Sequence, residues 1–176
     1  MEFGLFTEFS QTPGTSDTVA FDDAMSEVLA AEACGFDAVW LAEIHCQQGR
    51  SVLSAPLVIA SAIAARTRRV KIGIAVQVLP LAHPLRLAEE VATLDHLSHG
   101  RVDFGVGRSG LPDHYQGFKS PYGERRERFA ETLEILVKAW TQDRFTHEGR
   151  YFQFGDVCVR WGVPSSSPPG RRRSPS

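Results

Sequence analysis

The sequence predicts an α/β fold built on parallel strands, and the spacing of its apolar segments is the main observation behind this prediction. Four strand-like segments begin at Glu2, Asp37, Val70 and Arg101, at intervals of 35, 33 and 31 residues, and each interval contains one helical pattern. Strands that are joined through helical crossovers run parallel. The architecture is therefore either an open doubly wound sheet or a closed (β/α)8 barrel.

The first strand and helix occupy the amino-terminal residues. Residues 2–9 are rich in phenylalanine and leucine and predict a strand, which the turn-forming segment 11–14 ends. Apolar residues recur at helical spacing from Phe21, and Gly35 closes this helix. The large apolar residues 39–41 predict a short, buried second strand.

The next two units follow the same order of helix and strand. A second helix is predicted to begin near Ser54, with Pro56 in its first turn, and residues 70–79 predict a third strand that is covered on both faces. A third helix begins at Pro84, and Gly100 is predicted to provide its left-handed cap. Residues 101–106 predict the fourth strand.

Residues 111–176 do not continue this alternation of strand and helix. We predict a loop over 111–123, then a long helix, then a hairpin that pairs 144–146 with 151–159. The predicted buried stripe of the long helix consists of Phe129, Leu133, Leu136, Val137 and Trp140. Residues 160–176 are rich in proline, serine and arginine, which predicts a disordered tail, as in a truncated or frame-shifted end, after a domain spanning 1–159.

Composition excludes several classes of function. The chain has 176 residues, of which 43% are hydrophobic and 23% charged, as expected for one folded domain. A net charge of -2 argues against nucleic acid and anionic membranes as partners, and no segment has the length of a membrane span or the form of a signal peptide. Three cysteines without a Cys-x-x-Cys spacing indicate neither a disulfide framework nor a metal site. We expect a cytoplasmic protein whose partner is a small molecule.

Two polar segments lie where strands end. Glu43 and His45 follow the second strand, and the glycine-rich segment 105–110 follows the fourth. The segment 105–110 has the spacing Gly-x-Gly-x-x-Gly, but dinucleotide-binding sheets carry this motif after strand one, so the match is weak and a barrel is favoured. In a barrel both segments lie on the catalytic rim, although ordinary loop polar residues are the alternative interpretation. Four units make only half of a barrel, which needs eight.

Three motifs in sequence order resemble the bacterial luciferase-like monooxygenase family: GFDAVWLAEIH at 35–45, VLPLAHPLR at 78–86 and GRVDFGVGR at 100–108. The resemblance implies a (β/α)8 barrel that binds reduced FMN at its carboxyl-end rim, activates dioxygen and oxidises a small organic substrate such as an aldehyde. It implies a separate flavin reductase as electron donor. A deazaflavin is the alternative cofactor within the same fold.

The resemblance also assigns cofactor-binding candidates. Arg108 matches the arginine that holds the flavin phosphate, and Arg126 matches a second one; planar guanidinium groups suit a phosphate. Ala75 and Val76 match the segment under the isoalloxazine ring, often a non-proline cis peptide, so we predict a backbone outlier there. The rim positions on either side of Arg108, namely Gly107 and Ser109, complete the set.

The catalytic candidates are His45 and Glu43. His45 matches the second histidine of the family's Glu-His-His triplet, whereas Ile44 replaces the first, which argues against light emission. An imidazole can take up or give a proton near neutral pH, and the neighbouring carboxylate can fix its tautomer.

The replacement by Ile44 and the half-barrel length support an alternative function, a non-catalytic flavin-binding or interaction subunit. An open half barrel would expose strand edges, so we expect a homo-oligomer or an aggregation-prone chain that binds FMN weakly and that is inactive if the missing half is essential.

Overall fold

The computed structural model describes residues 1–47 and 49–159, and its centre is a four-stranded parallel sheet with the order β1-β2-β3-β4. The strands are β1 (Gly4–Thr7), β2 (Ala38–Leu41), β3 (Lys71–Val78) and β4 (Val102–Gly107). The prediction of an α/β fold with a parallel sheet is confirmed. The tail predicted over 160–176 lies outside the described residues.

Three long helices connect the strands and cover one face of the sheet. They are α1 (Asp17–Ala33), α2 (Pro56–Arg66) and α3 (Pro84–Ser98). Alternate strand residues point into the core against these helices, since successive side chains of a strand face opposite sides. The buried strand residues of this core are Val39, Leu41, Ile72, Ile74 and Val102.

The other face of the sheet has no helix upon it among the described elements. Trp40 lies across two neighbouring glycines, because a Cβ atom on Gly4 would be 2.9 Å from its indole ring and one on Gly73 only 2.1 Å. Phe6 pairs with Trp40 across the β1–β2 ladder and is 54% exposed. The glycines therefore leave space for the indole on this face.

Local signals explain where the helices begin and end. The Ser16 side chain accepts a hydrogen bond from the Val19 amide at 3.4 Å, so α1 begins earlier than the predicted Phe21. The N-cap of α2 is Ala55 rather than the predicted Ser54, and it makes no side-chain cap. At the end of α3 the cap is His99, which is left-handed with φ of 58°, and the predicted Gly100 follows it with φ of 78°.

The segment beyond β4 differs most from the prediction. The predicted loop over 111–123 contains a short helix, α4 (Pro112–Gly117). It is followed by α5 (Arg125–Thr141) and by the antiparallel strands β5 (Phe145–Glu148) and β6 (Gln153–Val157), which confirm the predicted hairpin.

The buried face of α5 is rotated relative to the predicted stripe. The buried residues of this helix are Thr132, Ile135, Leu136 and Ala139. Val137 is 51% exposed, so its assignment to the stripe was wrong. The helix packs against α3 and the hairpin, and the indole of Trp140 donates a hydrogen bond to the Ala88 carbonyl at 3.1 Å. Tertiary contacts with two elements select the face here, because residues 129, 133 and 137 have equally good helical spacing.

Arg101 ties the amino-terminal end of β4 to α2 and α3. Its guanidinium donates to the Thr67 hydroxyl at 2.9 Å and to the carbonyls of Val70 and Ala64 at 3.0 Å each. Its Nε donates to the Ser98 carbonyl at 2.8 Å. One half-buried side chain therefore satisfies backbone acceptors at two helix ends and one strand start.

A bulge interrupts the pairing of β3 with β4. The register shifts between Ile74 and Gln77, where Ala75 and Val76 together face one residue, Gly105. The peptide bond between Ala75 and Val76 is cis, which confirms the predicted backbone outlier. A Cβ atom at Gly105 would lie 2.4 Å from the Ile74 carbonyl oxygen, so β4 accommodates the bulge only with glycine there.

We expect the substitution Gly105→Ala to lower the free energy of unfolding by about 2 kcal/mol, because the added methyl group meets backbone rather than a side chain that can turn away. Gly110→Ala is the matched control, since nothing lies within 4 Å of its Cβ position. Urea denaturation of both variants measures the difference. Equal stability of the two would contradict the steric explanation.

Among the described residues, no helix has the length and apolarity needed to cross a lipid bilayer.

Candidate active site at the carboxyl edge of the sheet

The candidate residues gather at the carboxyl edge of the sheet, which we define by the last residues of β2, β3 and β4: Leu41, Val78 and Gly107. All neighbouring strands are parallel, so these ends lie at one edge. Glu43 and His45 follow β2 directly, and Arg108 follows β4. The structure thus places these predicted residues at the same end of the sheet.

Glu43 is buried at this edge and hydrogen-bonded on both carboxylate oxygens. Its side chain is 6% exposed and accepts three hydrogen bonds, from the Val78 amide at 2.6 Å, the Gln77 amide group at 2.7 Å and His45 Nε2 at 2.7 Å. A buried carboxylate needs such donors to offset its lost hydration. Glu43 therefore links the tip of β3 to the imidazole of His45.

The His45 ring is enclosed by α4 on the side away from Glu43. Its side chain is 11% exposed, and its ring makes edge-to-face contacts with His114 at 5.5 Å and with Phe118 at 4.7 Å between centroids. The sequence did not reveal this, because α4 has six residues and is too short for a helical periodicity. A proline at its first position and Asp113 in its first turn were the available signals.

His114 is the functional candidate that sequence reasoning missed. The residue is 1% exposed, and its Nδ1 lies 3.2 Å from the Ser109 hydroxyl. Burial lowers the pKa of His114, and the nearby His45 lowers it further. Ser109, predicted to bind the cofactor, is thus joined to His45 through His114.

Two tyrosines hold the loop that carries Arg108. The Tyr115 hydroxyl donates a hydrogen bond to the Arg108 carbonyl, and the Tyr122 hydroxyl donates to the Gly110 carbonyl at 3.3 Å. Burial raises the pKa of Tyr115, so its phenol stays a donor. The Arg108 side chain itself is exposed to solvent.

Arg126 lies in the first turn of α5 and is exposed, outside the hydrogen-bonded group around Glu43. Its neighbour Arg125 instead contacts Tyr122, with the guanidinium carbon 3.9 Å from the centre of the Tyr122 ring. Arg125 therefore reinforces the tyrosine that holds the Arg108 loop.

Ala75 and Val76, the positions predicted to lie under the flavin ring, belong to β3. Val76, next to the cis bond, is 38% exposed. A Cβ atom at Gly107 would lie 2.3 Å from Val76 Cγ2. Glycine at position 107 therefore leaves room for the Val76 side chain on β3. Within residues 1–47 and 49–159, no group of three or more His, Cys, Asp or Glu side chains could hold a metal ion.

Comparison with known proteins identifies the family to which the chain belongs. The family model for luciferase-like monooxygenases matches residues 1–170. The alkanal monooxygenase alpha chain of Photorhabdus laumondii is 39% identical over 159 residues, a match that covers 90% of this chain and 44% of that protein. The chain therefore belongs to the luciferase-like monooxygenase family, a family of flavin-dependent monooxygenases, and spans less than half the length of this relative.

Solved structures show the same fold. The monooxygenase RslO1 from Streptomyces bottropensis superposes with a TM-score of 0.88 at 30% identity, covering 94% of this chain and 51% of that one. The oxygenating constituent of 3,6-diketocamphane monooxygenase from Pseudomonas putida, solved in complex with FMN, gives 0.83 at 24% identity and covers 93% and 49%. The described fold corresponds to about half of each neighbour.

Proposed function

We propose that this chain takes part in a flavin-dependent monooxygenation in which reduced FMN and dioxygen oxidise a small organic substrate such as an aldehyde. The observation that carries the proposal is the hydrogen-bonded pair of Glu43 and His45. The Val78 amide, at the end of β3, donates to the Glu43 carboxylate, and β3 also contains the cis bond that precedes Val76. Arg108 lies at the same edge of the sheet. A buried, oriented acid–base pair at the carboxyl ends of parallel strands is typical of catalytic sites.

The donor set at this edge fits FMN. Arg108, which follows β4, and Arg126, in the first turn of α5, are exposed arginines, which suit a phosphate, and the partly exposed Val76 on β3 offers an apolar surface for a flat ring. Bound reduced FMN supplies the electrons that activate dioxygen. The proposal includes a separate reductase as the source of these electrons, with a deazaflavin as the alternative cofactor.

His45 is the proposed proton-transfer group. Because its Nε2 lies 2.7 Å from Glu43 Oε1, a neutral His45 ring that keeps its proton on Nε2 donates a hydrogen bond to the carboxylate and leaves Nδ1 free to act as a base. When Nδ1 takes up a proton, the carboxylate stabilises the resulting cation. Glu43 thus fixes the tautomer and orientation of the ring, and its own position depends on the tip of β3.

The deciding experiment measures oxygen uptake by the purified chain with chemically reduced FMN, with and without a long-chain aldehyde. We expect acid formation that depends on the aldehyde and on the chain, whereas oxygen uptake without aldehyde ends in hydrogen peroxide. Flavin binding without aldehyde-dependent oxidation would instead support the alternative, a non-catalytic flavin-binding or interaction subunit, which the presence of Ile44 in place of the family histidine favours. Parallel binding titrations with FMN and with a deazaflavin test which cofactor the chain prefers.

We expect Arg108→Ala to raise the Kd for FMN by about 10- to 30-fold, because a charge-assisted pair with the phosphate is lost. Riboflavin lacks the phosphate, so its Kd is expected to stay unchanged in the same fluorescence titration. Arg86→Ala is the matched control, since this exposed arginine pairs with Glu90 on α3. An equal loss of affinity for both flavins would show that Arg108 does not bind the phosphate.

A further inference from the structure

The buried imidazole of His114 is a group that the proposed reaction does not yet use. It lies against His45, with ring centroids 5.5 Å apart and planes at 84°. Its Nδ1 has a partner in Ser109, whereas its Nε2 is buried without a hydrogen-bond partner among the described residues. Buried polar atoms are nearly always paired, so an orphaned nitrogen beside a candidate catalytic ring is unusual.

Hydrogen bonding around Ser109 favours one tautomer of His114. The Ser109 hydroxyl oxygen accepts from the Leu111 amide at 3.1 Å, and its other contact is His114 Nδ1 at 3.2 Å. If Nδ1 carries no proton, the hydroxyl can donate to it, whereas a proton on Nδ1 leaves the hydroxyl proton without an acceptor in this pair. The contacts of Ser109 therefore favour the tautomer with its proton on Nε2.

Burial is the main cause that lowers the pKa of His114, and the neighbouring charged groups modify it. His45, which lies against the ring, and Arg50 also lower it. The carboxylates of Glu43 and Asp113 act in the opposite direction, but burial is the largest influence and opposes the charged form. Glu43 is hydrogen-bonded to His45, so it compensates a charge on His45 first.

We propose that His114 is a positioning residue of this site, a neutral Nε2–H imidazole that holds the His45 ring against Glu43 and leaves His45 as the ring of the pair that carries the exchangeable proton. The relevance of this arrangement to turnover rests on the proposed function. The protonation states themselves do not, because they are properties of the chain without any flavin.

Long-range proton–nitrogen NMR spectra of the nitrogen-15-labelled protein test the proposal directly. At neutral pH we expect His114 Nδ1 to resonate in the unprotonated range and Nε2 in the protonated range, with no titration of this ring until the pH falls well below the ordinary histidine value. A charged His114 at neutral pH, or a proton on Nδ1, would overturn the proposal.

Two variants test the coupling, and neither changes the buried ring. His45→Gln removes the neighbouring charge and is expected to raise the midpoint of His114 by about half a pH unit or more. Ser109→Gly removes the hydroxyl at a residue with φ of 54°, where glycine fits, and is expected to mix the two tautomers of His114. An unchanged spectrum in both variants would show that neither His45 nor Ser109 controls the protonation of His114, which would overturn the proposal.

The control is His99→Asn, at an exposed left-handed position at the opposite end of the sheet. It is expected to leave both the midpoint and the tautomer of His114 unchanged. If His45→Gln also leaves the midpoint of His114 in place, the protonation of His114 does not depend on His45 and the proposal is wrong. If the spectra are as expected but the chain does not oxidise a substrate with reduced FMN and dioxygen, the proposed function is wrong and the inference about His114 still holds.

Discussion

His45→Gln is expected to lower the rate of substrate oxidation about 100-fold while leaving the Kd for FMN within about threefold, because it removes a proton-transfer group and no phosphate contact. Glutamine can still donate a hydrogen bond to Glu43 Oε1, the partner that His45 Nε2 contacts at 2.7 Å, so the enclosure of the site is retained. What glutamine cannot do is take up a proton near neutral pH. Product formation and oxygen uptake are measured together.

Product formation reports on proton transfer by His45, whereas oxygen uptake reports on the reaction of the flavin with dioxygen. Oxygen uptake is expected to continue in the variant and to end in free hydrogen peroxide, since reduced flavin reacts with dioxygen without help from this ring. His99→Asn controls for the loss of an imidazole as such. Full product formation by His45→Gln would remove His45 from the proposed mechanism and leave Glu43 with a structural role only.

Arg101→Ala is expected to lower the free energy of unfolding by about 3 kcal/mol, the largest effect on stability that we anticipate in this chain. The substitution leaves the carbonyls of Ala64, Val70 and Ser98 without their guanidinium donor. Arg101→Lys restores the charge but not the planar fork, so we expect it to recover less than half of the loss.

Urea denaturation followed by circular dichroism measures both variants. Arg86→Ala is the control, because its ion pair with Glu90 involves side chains that are 74% and 46% exposed and is expected to contribute no more than about 0.5 kcal/mol. If Arg101→Ala were no more destabilising than Arg86→Ala, water would have to replace the guanidinium at all these carbonyls.

The parallel sheet and the meeting of its strand ends were predictable, because both follow from the alternation of strands and helices. The partners of Glu43 were not, since Gln77 and Val78 become its neighbours through the register of β2 against β3 and the bulge that follows. Only the resemblance pointed to Ala75 and Val76.

The largest gap concerned α4. Its sequence carries a helix start but too few turns to show a period, and the burial of His114 against His45 depends on how the segment folds back over the sheet. Likewise, the spacing of apolar residues in α5 placed Val137 in the buried stripe, but the packing of this helix against α3 leaves Val137 exposed.

The carboxylate of Glu43 couples two movements that would otherwise be independent. It grips the main chain two residues beyond Val76 and also the ring of His45. A ligand that displaced the end of β3 would therefore also disturb the hydrogen bond that orients His45. We expect binding at Val76 and the orientation of the imidazole to be coupled through this one carboxylate.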